Sequence, residues 1–383
     1  MSIPCSAITI LAIIFSYSSD DIPEFYLPSL IVWILGFLMF FIPSLIFSKS
    51  IKRDLLSIPR NNNIPDSSIE KSNRIYNTLL IIAFICIGFL FLKMRSISNA
   101  AFGGDEFSDQ FVNGGFYGHI TVLLSTVCAY MIYIVDNKHK LAWIIIILTL
   151  ICMYARGAKS WIISPILIGF ISRIIVGKTK FTWKIGVGII LSCVAIFVFS
   201  YVLILSIAGD ADMDENLMQF LLNHFMFYLI GSPLSFSLDY ERGILEPQMI
   251  DSLFAPIINI YLRFSQDSLV QVINPVSIDL GLGYANVRTF IGTIYAYTNS
   301  WYGLFIVTTI FSSAIYFIFC ISRQTKNIFL ILANSTNLSF LILGFFEFYW
   351  LNLGVYEMFV IFLIFAMFTH YPLKKPCNQV ISA

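Results

Sequence analysis

Long apolar runs separated by short polar links follow one another along almost the whole chain. A helix needs about 20 apolar residues to cross the hydrocarbon core of a bilayer. Runs near that length fall at 3–18, 26–47, 75–92, 115–135, 141–155, 160–176, 185–208, 304–322, 328–346 and 348–369. The pattern predicts an all-α polytopic membrane protein with about ten transmembrane helices. These helices would form a single integral membrane domain over residues 1–383.

Composition agrees with a lipid-embedded chain. Hydrophobic residues make up 58% of the 383 residues and charged residues only 12%, whereas soluble domains are about one quarter charged. A soluble fold could not bury so much apolar surface. The net charge of +1 argues against a nucleic-acid partner, because such a partner usually requires a basic stripe.

Lys and Arg residues are concentrated in alternate links between the runs. If both termini are cytoplasmic, the cytoplasmic links hold 16 of the 23 basic residues, and 18 of the 22 acidic residues fall at or beyond the outer membrane boundary. This bias predicts that both termini lie in the cytoplasm. Seven cations remain on the outer side, and they are Lys93, Arg95, Arg156, Lys159, Arg242, Arg263 and Arg288.

The longest stretch without a convincing span is 209–303, which this orientation predicts as a long periplasmic loop. It is not uniformly polar. Residues 217–230 are apolar but short for a crossing, and they predict an interfacial or re-entrant helix. Residues 252–262 predict a second such element, broken by Pro256.

The stretch "AFGGDEFSDQF" (101–111) contains the five-letter signature of diguanylate cyclases. That signature works in a soluble α/β domain of well over about 100 residues, on the side of the membrane where GTP is found. Here the letters occupy a short outer link between two predicted spans. We therefore expect a turn at Gly103-Gly104 followed by water-exposed acids, and no cyclase activity.

Two of the outer cations, Arg156 and Lys159, lie together in the tight link "YARGAKSW" (154–161), with no acid near them in sequence. Charges at membrane depth are costly and are often functional. The alternative is that both side chains reach out to lipid headgroups. Arginine suits phosphate because its planar fork makes paired, charge-assisted hydrogen bonds. The link therefore predicts an anion site.

Three further arginines lie in the long outer segment and are also candidates for binding an anion. Arg242 is flanked by Asp239 and Glu241, so a local ion pair is the alternative interpretation there. Arg263 follows an apolar stretch and is expected to face a pocket at membrane level. Arg288 lies in a Gly-rich approach to the next span.

Candidate bases are few on the outer side. His224 lies among apolar residues of the long segment, and histidine can accept a proton near neutral pH. The alternative is a packed core histidine. His119 is a weaker candidate of the same kind. Glu347 and Glu357 lie at the outer ends of the last two spans, where a simple boundary acid is the alternative for each.

No metal or cofactor motif stands out. "GDADMDE" (209–215) resembles the start of a calcium loop, but the sixth position is Glu215 where glycine is needed and the twelfth is Leu221 where glutamate is needed. A looser divalent site built from two of these acids stays open. We predict no metal centre and no cofactor.

Two stretches resemble Wzy-type O-antigen polymerases, also called oligosaccharide repeat unit polymerases. They are "ARGAKS" (155–160) and "GYANVRTFIGTIYAYTNSWYGLF" (283–305), and they occur within a similar order of spans and one long outer segment. In the second stretch, the family's usual order is followed by Asn286, Thr289, Tyr295 or Tyr297, and Gly303. Thr298, Asn299 and Ser300 stand where the family often has an aspartate and a glycine.

The resemblance implies a glycosyltransferase on the outer face of the bacterial cytoplasmic membrane. The donor would be a glycan on undecaprenyl diphosphate, and the acceptor would be one repeat unit on the same lipid. Arg156, with Arg288 or Arg263, would bind the diphosphate with help from Lys159, and His224 or an outer acid would activate the acceptor hydroxyl. A separate chain-length regulator is a further expected partner.

Two other functions stay open. An O-antigen ligase would use the same donor but would transfer the chain to lipid A core. A flippase for the same lipid-linked units would not be an enzyme. Flippases usually have twelve or more evenly spaced spans with short loops, often with repeat symmetry, so the long segment 209–303 favours the polymerase.

Overall fold

The computed structural model describes most of the chain. The described residues are 2–55, 66–97, 102, 105–112, 115–136, 139–156, 159–180, scattered positions between 182 and 198, 215–243, 250–272, 277–325 and 327–369. Most of the predicted span 185–208, the Gly103-Gly104 turn and the acids of 209–214 lie outside these residues.

Helices dominate the described part of the chain. They are α1 (Ser2–Ser18), α2 (Leu30–Leu55), α3 (Asp66–Ser96), α4 (Asp105–Val112), α5 (Phe116–Ile134), α6 (Lys140–Ala155), α7 (Lys159–Val176), α8 (Glu215–Arg242), α9 (Ile250–Leu253), α10 (Ala255–Ser265), α11 (Phe290–Thr298), α12 (Trp301–Thr325), α13 (Ile328–Ile342) and α14 (Leu353–Phe368). Three short 3-10 turns lie at Leu27–Ser29, Leu343–Phe345 and Tyr349–Leu351. Two short strands, β1 (Ile278–Asp279) and β2 (Tyr284–Ala285), pair antiparallel.

Five helical stretches in the described residues are long and apolar enough to cross a membrane. They are Leu27–Ser48, Asn73–Ser96, Phe116–Ile134, Trp301–Gln324 and Ile328–Phe345. Shorter apolar helices cover Ile3–Ser18, Lys140–Ala155, Ser160–Val176 and Leu353–Phe368. Each of these nine helices coincides with a predicted apolar run. The structure therefore confirms the class, an all-α membrane protein.

Side-chain contacts show which helix ends lie together at one end of the bundle, which we call the upper end. The start of α5 meets the start of α14 through His119 and Glu357, whose Nδ1 and Oε1 atoms are 2.7 Å apart. The Ser108 hydroxyl on α4 donates to the carbonyl oxygen of Arg156, directly after α6. The apolar runs predict that successive helices run in opposite directions through the bundle, and the directions of α5, α6 and α14 agree with this.

The opposite helix ends meet at the lower end. Arg173, near the end of α7, donates through Nη1 to the carbonyl oxygen of Val135 directly after α5, at 2.9 Å. Asn327, which caps α13, donates to the carbonyl oxygen of Ala366 in the last turn of α14, at 3.2 Å. This arrangement matches the charge bias, since the lower end carries the links that are rich in Lys and Arg.

Helix α11 is buried over all nine residues between α2, α8 and α12. The Trp33 indole donates to the Thr289 hydroxyl at 2.8 Å, and Thr289 in turn caps α11. The ring of Phe290 packs against that of Phe40 at 6.0 Å. Because a helix rises 1.5 Å per residue, Phe40 lies roughly 15 Å below the start of α2 at Leu30. Helix α11 therefore begins beside α2 between the levels of Trp33 and Phe40.

The other elements of the long outer segment differ in length from the predicted ones. Residues 217–230 belong to α8, a 28-residue helix that continues past Pro233. Residues 252–262 cover the end of α9 and most of α10. Pro256 lies in the first turn of α10, a position that proline tolerates because its missing N–H has no helical partner there. Proline thus begins this helix and does not break it.

One side of α10 presents an apolar stripe. Ile257, Ile260, Tyr261 and Phe264 follow the i, i+3, i+4, i+7 spacing of a single helix face, and all four side chains are exposed. Phe264 is 86% exposed. Such a face is typical of a helix that lies along a membrane interface.

The last three cyclase-like letters, Asp105 to Phe107, begin α4, an amphipathic helix packed against α5 and α6. Its Phe107 and Phe111 side chains are buried, while Glu106 and Asp109 are exposed as expected. In the described residues, β1 and β2 form the single sheet. Nothing in this part of the chain resembles the α/β domain that a cyclase needs.

Candidate functional site

Arg156 lies at the upper end in the link between α6 and α7. Its Nη1 atom donates to the hydroxyl oxygen of Thr121 on α5 at 2.9 Å. Its guanidinium lies over the ring of Trp161 on α7, with 4.0 Å between the guanidinium carbon and the ring centroid. Three helices therefore fix the position of this side chain, which argues against a cation that simply reaches out to headgroups.

The environment of Arg156 suits an anionic ligand. The side chain is partly buried, and burial lowers its pKa to about 10, with the negative charge of Glu357 opposing the shift. The guanidinium therefore stays protonated at neutral pH. Among the described residues, its side chain makes one hydrogen bond, to Thr121. The described residues thus leave most of its N–H donors for a ligand.

His119 and Glu357 form a pair beside Arg156. The imidazole Nδ1 lies 2.7 Å from the Glu357 carboxylate, and the two side chains are 54% and 22% exposed. Glu357 also interacts electrostatically with Arg156. We call Arg156, Thr121, Trp161, His119 and Glu357 the Arg156 cluster. The structure thus brings Arg156, a predicted anion-binding residue, together with His119 and Glu357, two of the predicted candidate bases.

Gly354 sets the position of Trp161. The residue lies in the first turn of α14, and a Cβ atom there would come within 2.5 Å of Cη2 of the buried Trp161 ring. Any larger residue at this position must displace the ring that supports Arg156. The glycine is therefore required by close packing.

We expect Gly354→Ala to lower the free energy of unfolding by about 1–3 kcal/mol, because it overpacks the contact with Trp161. In a Trp161→Phe background the same change should cost much less, since phenylalanine lacks the atoms that meet the new methyl group. Thermal unfolding of the four proteins of this double-mutant cycle in detergent measures the coupling. Equal costs in both backgrounds would show that Trp161 does not limit this position.

A second cluster is built around Arg288, directly before α11. Its Nε and Nη2 atoms contact Oδ2 of Asp239 on α8, and its Nη1 donates to the Val287 carbonyl oxygen at 2.9 Å. Both charged residues are buried, with 4% and 3% exposure. Burial raises the pKa of the Asp239 carboxyl, and the contact with Arg288 opposes that shift. The charge of Arg288 is therefore already balanced.

Glu347 shares a small pocket with Arg288. The pocket lies between α11 and the link that joins α13 to α14, and Thr293 and Tyr297 also line it. Burial raises the pKa of Glu347 from its ordinary value of 4.5 to about 7. A carboxyl with this pKa can both accept and donate a proton near neutral pH. The structure thus brings two predicted site residues into one pocket.

We expect stability to fall as the pH rises from about 4.5 to about 7, because Glu347 holds its proton in the folded protein over a range where the unfolded chain has lost it. This contribution is fully present below the ordinary pKa and is lost as the pH rises through the raised one. Glu347→Gln should flatten this part of the curve. The midpoint of thermal unfolding between pH 4 and pH 8 is the measurement, and identical curves would contradict the assignment.

The remaining predicted cations occupy more open positions. Arg242 and Arg263 are exposed, each in the last turn of its helix. The local ion pair considered for Arg242 is not the main contact of Asp239, which pairs with Arg288 and interacts more weakly with Arg242. Lys159 is the first residue of α7, and its side chain lies outside the described structure.

His224 lies on α8 in an aromatic environment. The centroid of its ring is 5.2 Å from that of Phe220, 6.1 Å from Phe227 and 5.4 Å from Tyr228. The side chain is partly buried. This environment agrees with the alternative of a packed histidine, and His119 has the closer relation to the cations of the upper end.

The fold and these two clusters define an all-α membrane protein with ionisable residues collected at one end of its helix bundle. Residues 21–375 match the model of a family of unknown function, DUF6337, and the chain belongs to that family. No curated protein and no solved structure matches the chain.

Proposed function

We propose that this protein is a surface-polysaccharide polymerase of the O-antigen type. It transfers a growing glycan from undecaprenyl diphosphate to a lipid-linked repeat unit. In this proposal the ten apolar runs all cross the cytoplasmic membrane, both termini lie in the cytoplasm, and the upper end faces the periplasm. The sequence resemblance and the geometry of the Arg156 cluster support this proposal.

The observation that carries the proposal is the partly buried Arg156 with most of its donors available, at one end of a membrane bundle. The leaving group of the transfer is a lipid diphosphate, on which negative charge grows as the glycosidic bond breaks. A fixed cation at that position lowers the barrier, because it needs no rearrangement as the charge develops. A substrate anchored in lipid also requires a site near the membrane, and Arg156 lies in the link between two apolar helices.

The other predicted residues take supporting roles in this proposal. Lys159 follows Arg156 in the same link and adds positive charge. Arg288 orders the buried helix α11 through Asp239 and reaches the diphosphate only by exchanging that partner. Arg242 and Arg263 attract the anionic substrate from exposed positions. A chain-length regulator is the expected protein partner, and neither a metal nor a cofactor is required.

Deletion of the gene, with complementation in trans, tests the function. We expect the deletion strain to make lipid A core that carries a single repeat unit, with the long-chain ladder restored by the complementing gene. Bare core with accumulated long chains on the carrier lipid would indicate a ligase. Lipid-linked repeat units confined to the cytoplasmic leaflet would indicate a flippase. An unchanged polysaccharide profile would reject all three functions.

A further inference from the structure

The His119–Glu357 pair has the geometry of a proton acceptor. The carboxylate contacts Nδ1 of the imidazole at 2.7 Å, so the neutral ring donates its Nδ1 proton to Glu357 and keeps the lone pair of Nε2. A carboxylate at this position both fixes the tautomer and stabilises the imidazolium that forms after proton transfer. The His119 side chain is 54% exposed, so a substrate hydroxyl can reach it.

The pair lies beside the cation that binds the diphosphate in our proposal. Glu357 interacts electrostatically with Arg156, while the Arg156 side chain bonds to Thr121, which lies two positions after His119 and therefore on a different face of α5. Among the described residues, Lys93 is a further charged group near this turn, with its Nζ atom 5.5 Å from the centroid of the Tyr117 ring. Glu357 thus contacts the imidazole and also acts on Arg156, so it links a group that can accept a proton to a group that can meet negative charge.

We propose that His119 is the general base of the transfer and that Glu357 positions it. This inference rests on the proposed function. The acceptor hydroxyl gives its proton to Nε2 of His119 while its oxygen bonds to the anomeric carbon of the donor. The bond from that carbon to the diphosphate oxygen breaks, and the electron pair leaves with the diphosphate, whose charge Arg156 meets. The imidazolium later returns its proton to water.

His119 fits this role better than the other candidate bases. His224 stacks among Phe220, Phe227 and Tyr228 on α8, whereas His119 has a carboxylate at hydrogen-bond distance from Nδ1. Glu347 shares its pocket with Arg288, whose charge Asp239 balances. Among the described residues, His119 is thus an imidazole that an acid orients, and the same acid acts on Arg156.

Membranes of the deletion strain supply accumulated lipid-linked repeat units for an assay of chain extension by added protein. We expect His119→Ala to reduce the rate about 100-fold or more and imidazole in the buffer to restore part of it. His119→Asn keeps a donor for Glu357 but cannot accept the proton, so it should fold normally and stay inactive. Glu357→Gln should lower the rate less and should not respond to imidazole.

His139 at the lower end provides a matched control, because its Nδ1 lies 2.8 Å from Asp136 in a second histidine–carboxylate pair. His139→Ala should keep the wild-type rate with or without imidazole. If His119→Ala or His119→Asn extends chains normally while Arg156→Ala does not, the base is elsewhere and the proposed function stands. Loss of activity in folded His119→Ala without imidazole rescue would also overturn the role of His119. Absence of extension by wild-type protein would reject the function itself.

Discussion

Arg156→Ala should abolish long polysaccharide chains while the protein still inserts and accumulates in the membrane. Removing one fixed group that stabilises transition-state charge typically lowers the rate by about 100- to 1,000-fold. Arg156 is held over Trp161 and bonded to Thr121, so its charge has a fixed position that the variant loses. The polysaccharide ladder on a gel, from the deletion strain complemented with the variant, is the measurement.

Two variants sharpen this result. Arg156→Lys keeps the charge but loses the planar fork, so chains of intermediate length and amount are expected. Arg95→Ala removes an exposed arginine at the upper end, in the last turn of α3, and should leave the ladder unchanged. A normal ladder from Arg156→Ala at equal protein level would refute the role of this side chain.

Asp239→Ala should destabilise the protein more than most single substitutions, because it leaves Arg288 buried without its carboxylate. Breaking a buried ion pair in this way costs about 3–5 kcal/mol. The effect should appear as a large fall in the midpoint of thermal unfolding in detergent and as less protein in the membrane. Asp109→Ala, which removes an exposed acid of α4, is the matched control.

The double substitution Asp239→Leu with Arg288→Met separates structure from chemistry at this pair. Replacing both charges with apolar side chains of similar size is often neutral for stability, so we expect the midpoint to recover. If Arg288 also contacts the diphosphate, chain extension stays low in this stable protein, and if it only orders α11, extension recovers too. An unchanged midpoint in Asp239→Ala would contradict the structural role of the pair.

The nine apolar helices of the described residues could be predicted from the sequence, because the length and apolar composition of each run are local properties of the chain. The buried helix α11 could not be recognised in this way. Its nine residues are too few for a span, and it is buried against helices that are distant in sequence, as the hydrogen bond between Trp33 and Thr289, 256 positions apart, illustrates. Periodicity reports local patterning and contains no information about such a distant partner.

The site was partly predictable for the same reason. Arg156 stood out because it opposes the charge bias, which is a property of the sequence alone. Arg288 has Asp239 as its partner 49 positions away, whereas Arg242 is three residues from Asp239 and still has the weaker interaction with it. The sequence contains only a weak indication that His119 and Glu357 belong to the site, because each lies inside an apolar run that begins on the predicted outer side.

The most direct test of the central claim is the binding of undecaprenyl diphosphate to the purified protein in lipid nanodiscs, followed by native mass spectrometry. The account predicts that wild-type protein and Arg95→Ala retain the lipid diphosphate equally and that Arg156→Ala loses it at concentrations where both others are saturated. Equal retention by Arg156→Ala and wild type, or no retention by wild type, would contradict the claim that Arg156 holds a lipid-borne diphosphate.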